Sequence, residues 1–110
     1  TFLRETLRRL EKEARTPVHT VILDFSAINN LDSSADAALH EVLDDYESRG
    51  ITLILARVKG PVMDVLERSG YVERATDIGF TESVEEAVER CSPEPGQVGL
   101  AVVRAPLAQR

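Results

Sequence analysis

The segment Asp32–Ser33–Ser34 combines residue types that begin helices with a hydroxyl group that can be phosphorylated. It lies between a nearly continuous apolar stretch and an amphipathic, helix-like pattern. Unpaired backbone N–H groups at a helix start favour a carboxylate or a phosphate. Two compatible interpretations follow. Asp32 or Ser33 caps the helix, with Asp36 completing a partial capping box, or Ser33 is also a phosphoacceptor on a surface that binds partners.

Motifs for catalysis or cofactor binding are missing elsewhere in the sequence. No glycine-rich phosphate loop and no dinucleotide-binding fingerprint occur. His40 shares a helix face with Asp36 and Asp44, and we expect it to be a solvated surface residue, since a histidine needs a nucleophile partner to catalyse. Cys91 is predicted to be a small core residue. One cysteine and two histidines do not form a metal-binding pattern. The sequence therefore predicts a protein that is not an enzyme and has neither a cofactor nor a metal site.

Length and charge exclude several further classes of function. The chain has 110 residues and a formal net charge of −6, with 43% hydrophobic residues. This length supports one small domain. The acidic balance argues against nucleic acid as a partner, because a basic face supplies most of that affinity. No apolar run approaches the roughly 20 residues that cross a bilayer, so the chain as given is predicted to be soluble.

Basic side chains crowd the first predicted helix, at Arg4, Arg8, Arg9, Lys12 and Arg15. Acidic residues are interspersed among them, which favours a solvated, salt-bridged face. Contact with anionic lipid headgroups or with an acidic partner is the alternative. A second acidic set, on the second helix, is interpreted in the same way as a solvated face; it consists of Glu41, Asp44, Asp45 and Glu47.

Hydrophobic periodicity predicts an α/β fold, a small and largely parallel sheet with about four helices. The predicted elements, in chain order, are a helix ending near Thr16–Pro17, a strand at 18–25, a helix at 33–49, a strand at 51–56, a helix at 60–70, a connector at 71–80 with a very short strand near its end, and a helix ending at Cys91. We expect a domain at 1–91, followed by a linker and tail at 92–110. Within this tail, 98–103 is predicted as either an edge strand or a flexible segment. Because two or three strands leave an edge exposed, we expect strands upstream of Thr1 to be missing, or a tail strand to compensate.

Two groups of motifs resemble the STAS domain, which sulfate transporters share with anti-sigma factor antagonists. The first group is VILDFS at 21–26 and LDSSA at 31–35, and the second is ARVKGPV at 56–62 with LERSG at 66–70, followed by SVEEA at 83–87. The likeness covers about 1–91. Domains of this family usually begin with one or two strands before the first helix, which are absent here, so the resemblance implies an N-terminally truncated domain.

The second group is closer to the transporter branch, the SulP-type anion transporters. This resemblance implies a non-catalytic regulatory domain on the cytoplasmic face of the bacterial inner membrane. Its partners would be the membrane domain of the parent transporter and regulatory proteins, with a nucleotide and a second copy of the chain as further candidates.

The first group is closer to the antagonists, in which the serine after the aspartate is phosphorylated by a partner kinase. By position that serine is Ser33, although Ala35 stands where the antagonists usually have glycine. A stand-alone antagonist switched at Ser33 is therefore the alternative function. A nucleotide- or anion-binding sensor that uses the start of the second helix is a third.

Overall fold

The computed structural model describes residues 2–13, 18–75, 79–91 and 100–104. These ranges hold five helices and four strands, in the order α1 (Phe2–Glu13), β1 (Thr20–Asp24), α2 (Ser33–Arg49), β2 (Thr52–Ala56), α3 (Gly60–Arg68), α4 (Tyr71–Arg74), β3 (Phe80–Thr81), α5 (Val84–Cys91) and β4 (Leu100–Arg104). The predicted end of the first helix near Thr16–Pro17 lies outside the described residues. So do the Cys91 side chain and most of the predicted linker and tail.

The four strands form one parallel sheet in the order β3-β2-β1-β4. The fold class predicted from the sequence is therefore confirmed. In the central strand β1, Val21, Ile22 and Leu23 are almost completely buried, as expected for a strand covered on both faces. Successive side chains of a strand point to opposite faces. Accordingly, Val21 and Leu23 pack in the main core, whereas Ile22 packs with Ala87 of α5 on the other face.

Helix α2 forms the main core with the sheet. Its buried residues are Ala38, Leu39, Val42, Leu43 and Tyr46, the stripe that the helical spacing predicts. The helix ends at Gly50, which has a φ of 74°, a left-handed conformation that suits a residue without a Cβ. Its backbone N–H donates to carbonyls of the last turn.

The described residues hold five helices where the sequence predicted about four, because the short helix α4 lies in the segment predicted as a connector. Gly70, with a φ of 87°, lets the chain turn between α3 and α4. Tyr71 is then 1% exposed and makes edge-on ring contacts with His40 and Phe80. A four-residue helix is too short to show a helical period in the sequence. Such short helices depend on tertiary packing, which the ring contacts of Tyr71 provide here.

Strand β4 lies along β1 on the side opposite β2, with Ile22 facing Val102 in the register. It therefore places a strand from the predicted tail along one edge of β1, at one end of the sheet. The Val102 side chain is 50% exposed.

Candidate functional site

The α2 tip, which we define as Asp32, Ser33 and Ser34, begins the long helix at one end of the sheet. Asp32 is the N-cap, with extended backbone angles, and its Oδ1 accepts the Ala35 N–H at 2.8 Å. Of the two residues considered as the cap, the structure selects Asp32. Ser33 and Ser34 occupy the first turn, and both are exposed. The α2 tip therefore presents two hydroxyl groups beside a capped helix terminus.

Asp36 does not complete the predicted capping box, and that part of the interpretation is wrong. Its Oδ1 instead accepts a hydrogen bond from Ser69 Oγ of the α3–α4 turn, at 2.8 Å. The reason is tertiary, because the packing of α3 against α2 brings a hydroxyl to this carboxylate. The Asp36 backbone N–H donates to the Asp32 carbonyl at 2.9 Å, as the first turn of a helix requires.

The loop between β1 and α2 is held in place by both apolar and polar contacts. Phe25, Ile28 and Leu31 are buried, at 0%, 3% and 7% exposure. From the next loop, Lys59 Nζ donates to Asn29 Oδ1 at 2.6 Å. Burial of three apolar side chains within one short loop fixes the position at which α2 begins. The tip is consequently presented by a supported loop.

His40 is not a solvated surface residue, and the prediction is wrong here as well. Its side chain is 22% exposed. The Nε2 atom lies 3.1 Å from Ser69 Oγ, and the Nδ1 atom lies 3.1 Å from Arg74 Nη1. Sequence reasoning missed this cluster because Ser69 and Arg74 lie 29 and 34 residues away along the chain.

The groups that can only donate a proton fix the direction of the hydrogen bonds in this cluster. A guanidinium can only donate, so the Nδ1 of His40 accepts from Arg74 and the ring proton lies on Nε2. His40 then donates to Ser69, which donates to Asp36. Because Nε2 already carries a proton, His40 cannot remove the proton of Ser69. This geometry supports a structural link between α2 and the α3–α4 turn and does not support a nucleophile–base pair.

The acidic face of α2 pairs with arginines, one from α4 and one at the end of α2 itself, and is not merely solvated. Arg74 contacts Asp44 and, at 3.4 Å, Glu47. Arg49 pairs with Glu11 of α1 at 2.7 Å and with Asp45 at 2.7 Å. Hydrogen bonds to Glu11 and Asp45 raise the pKa of Arg49 above its ordinary value. These pairs connect α1 and α4 to α2.

The described residues were compared with the length and apolar character of membrane-spanning helices and with the grouping of metal ligands. Over those ranges, no helix has both the length and the apolar character of a membrane span. Within the same ranges, no three His, Cys, Asp or Glu side chains are grouped as metal ligands.

Comparisons with known proteins converge on one family. A family model described as the STAS domain matches residues 1–92. A mouse protein named sulfate transporter is 37% identical over 86 residues, which are 78% of this chain and 12% of the relative. An Arabidopsis thaliana protein named probable sulfate transporter 4.2 is 35% identical over 67% of this chain and 11% of the relative. The chain thus spans about an eighth of the length of such relatives.

Solved structures share the fold. A sulfate transporter family protein from Wolinella succinogenes superposes with a TM-score of 0.70 at 20% identity, covering 82% of this chain and 74% of that one. The STAS domain of a SulP transporter from Vibrio cholerae gives a TM-score of 0.68 at 19% identity, covering 80% of this chain and 69% of that one. At these identities, the likeness is evidence of a common architecture only.

Proposed function

The chain belongs to the STAS domain family, and from that premise we propose that it is the regulatory, non-catalytic domain of a sulfate transporter of the SulP type, placed on the cytoplasmic side of the membrane. Similarity to proteins named sulfate transporters supports the association with transport. Under this proposal the anion pathway lies in a membrane domain, and these residues do not bind the transported sulfate.

The observation that carries the proposal is the geometry of the α2 tip. Ser33 and Ser34 are exposed, whereas the loop before them is anchored by buried side chains and by the bond between Lys59 and Asn29. A surface with a fixed backbone loses little conformational entropy when it binds a partner. The membrane domain of the parent transporter is the partner we propose for this tip, with regulatory proteins as a second class.

The test begins with the complete reading frame and continues with sulfate uptake. We expect the frame to encode membrane spans, and the full-length protein, reconstituted in liposomes, to take up labelled sulfate. Ser34→Arg places a large charged side chain at the tip and should reduce uptake several-fold at equal protein abundance. Glu85→Arg, at an exposed position of α5, is the matched control and should leave uptake unchanged. A frame without membrane spans, or equal uptake by both variants and the unaltered protein, would refute the proposal.

A second candidate function is a stand-alone anti-sigma factor antagonist that is switched by phosphorylation of Ser33. The exposure of Ser33 at a helix start favours it, because a phosphate there is stabilised by the helix dipole. Incubation with an anti-sigma serine kinase, followed by mass spectrometry, should then find phosphate on Ser33. Ser33→Ala should abolish the modification and Ser34→Ala should retain it. An unmodified Ser33 in a reaction where the kinase modifies its own antagonist would count against this function.

A further inference from the structure

A cleft of about 590 Å³ opens where β2 and β3 end, between the start of α3 and the exposed side of α5. Two arginines line it, Arg57 after β2 and Arg90 on α5. The strands β2 and β3 are parallel neighbours, so both of their carboxyl ends lie at this edge of the sheet. The cleft is separate from the α2 tip, whose residues do not line it.

Arg57 has a backbone conformation that is unusual for a residue with a side chain. Its φ is 64°, which makes it the only non-glycine residue with a left-handed conformation among those the structure describes. A Cβ is disfavoured there, and such conformations concentrate at functional sites. The backbone is held by a hydrogen bond from the Arg57 N–H to the Thr81 carbonyl, at 3.0 Å.

The Arg57 guanidinium is available to a ligand. Its side chain is 51% exposed, and its Nε lies 3.9 Å from Asp24 Oδ1, beyond hydrogen-bond distance. A half-exposed pair at this distance is weak. The ion pair therefore does not explain why a charged side chain lies at a strained position of the backbone.

Arg90 is oriented by neighbouring groups of the cleft. Its Nη2 pairs with Glu86 Oε2 at 2.8 Å, and the other oxygen of Glu86 accepts the Glu82 N–H at 2.8 Å. Glu86 therefore acts as a positioning residue with both oxygens engaged. A guanidinium has five N–H donors, so Arg90 keeps donors for a second anion.

Apolar side chains complete the wall between the two arginines. Val58, Met63 and Phe80 line the same cleft and are partly buried. We propose that the cleft binds a small organic anion, with its carboxylate or phosphate held by Arg57 and Arg90 and its apolar portion against Phe80. This inference does not depend on the proposed transporter function, since it concerns a different part of the domain.

The test is a titration of the 110-residue chain followed by two-dimensional ¹H–¹⁵N NMR. The probes are phenyl phosphate and benzoate, which separate phosphate from carboxylate recognition. Inorganic phosphate, which lacks the aromatic ring, and phenol, which lacks the anionic group, are the controls. We expect at least one aryl anion to shift the amides of Arg57, Phe80 and Glu82, with affinity at least fivefold above inorganic phosphate and phenol. If neither aryl anion shifts these amides, the proposal is wrong.

Variants connect the binding to the arginines. Arg57→Asn should weaken it at least tenfold, because asparagine tolerates the left-handed conformation but lacks the charge. Arg90→Gln should weaken it similarly, and Arg68→Gln, on the exposed side of α3, should not change it. Glu82→Gln should strengthen binding by removing a repelling carboxylate, an effect that a merely structural role for the cleft would not produce. Unchanged affinity in both Arg57→Asn and Arg90→Gln would overturn the proposal.

Discussion

The assignment of the α2 cap can be tested by comparing Asp32→Ala with Ser33→Ala. Asp32 Oδ1 accepts the Ala35 N–H at 2.8 Å, whereas Ser33 lies in the first turn with its side chain exposed. Replacing a capping aspartate by alanine costs about 1 kcal/mol, within a range of roughly 0.5–2 kcal/mol. Alanine within the first turn loses no cap, and surface changes of this kind stay within about 0.5 kcal/mol.

The predicted difference is large enough to measure by thermal and urea denaturation, followed by circular dichroism at 222 nm. For a domain of this size, a loss of 1 kcal/mol lowers Tm by about 4–8 °C. Asp32→Ala should therefore melt about 5 °C below the unaltered protein, and Ser33→Ala should melt close to it. Asp32→Asn is the matched control, since asparagine keeps the acceptor oxygen and should retain most of the stability.

The opposite result would refute the assignment. If Ser33→Ala loses as much stability as Asp32→Ala, then Ser33 contributes to the cap and its hydroxyl is not free for modification. If the assignment holds, a functional defect of Ser33→Ala reports on docking or phosphorylation and not on folding. The proposals for the α2 tip depend on this separation.

Three further predictions concern the core and the titrating groups. Leu39→Asp should unfold the chain at 25 °C, because burying an unpaired carboxylate at a 0% exposed position costs several kcal/mol. The control is Ala37→Asp, at an exposed position of the same helix, which should fold with a normal circular dichroism spectrum. Burial raises the pKa of Tyr46 and of Tyr71 in the folded state. Above about pH 10, the unfolded chain therefore loses these two protons while the folded chain keeps them. The free energy of unfolding should then fall by roughly 2.7 kcal/mol per pH unit, and by about half as much in Tyr46→Phe. For His40, ¹⁵N NMR at pH 8 should place the ring proton on Nε2, since an arginine of α4 donates to the other nitrogen; a proton on Nδ1 would contradict the described cluster.

Elements with a strong local pattern were predicted well from the sequence. The stretch at 18–25 predicts a buried strand because most of its side chains are apolar or β-branched, with Val21, Ile22 and Leu23 in an unbroken run. The stripe through Leu39 reads as one face of a helix because its spacing follows the helical period. Ser83 precedes Glu86 by three residues, the spacing of a helix cap, and its Oγ accepts the Glu86 N–H at 2.9 Å. These features depend on neighbours within a few positions along the chain.

Features that join distant segments were predicted poorly. His40 was assigned to solvent because the sequence shows no nucleophile partner for it, yet Ser69 and Arg74 reach both of its ring nitrogens. Asp36 was assigned to a capping box because of its spacing, yet its carboxylate accepts a hydrogen bond from Ser69, a residue of another part of the chain. Helix α4 has too few residues for a periodic signal, and its buried aromatic residue Tyr71 makes contacts only in the folded chain.

The sequence by itself determined the parallel α/β architecture, the extent of the principal helix and central strands, and the family resemblance, since burial pattern and motif are properties of contiguous residues. Only the tertiary structure decided which residue caps α2, which groups surround His40, and how Arg57 and Arg90 come to line one cleft. Each of these depends on distances between elements that are far apart in the chain, and packing against the sheet sets those distances.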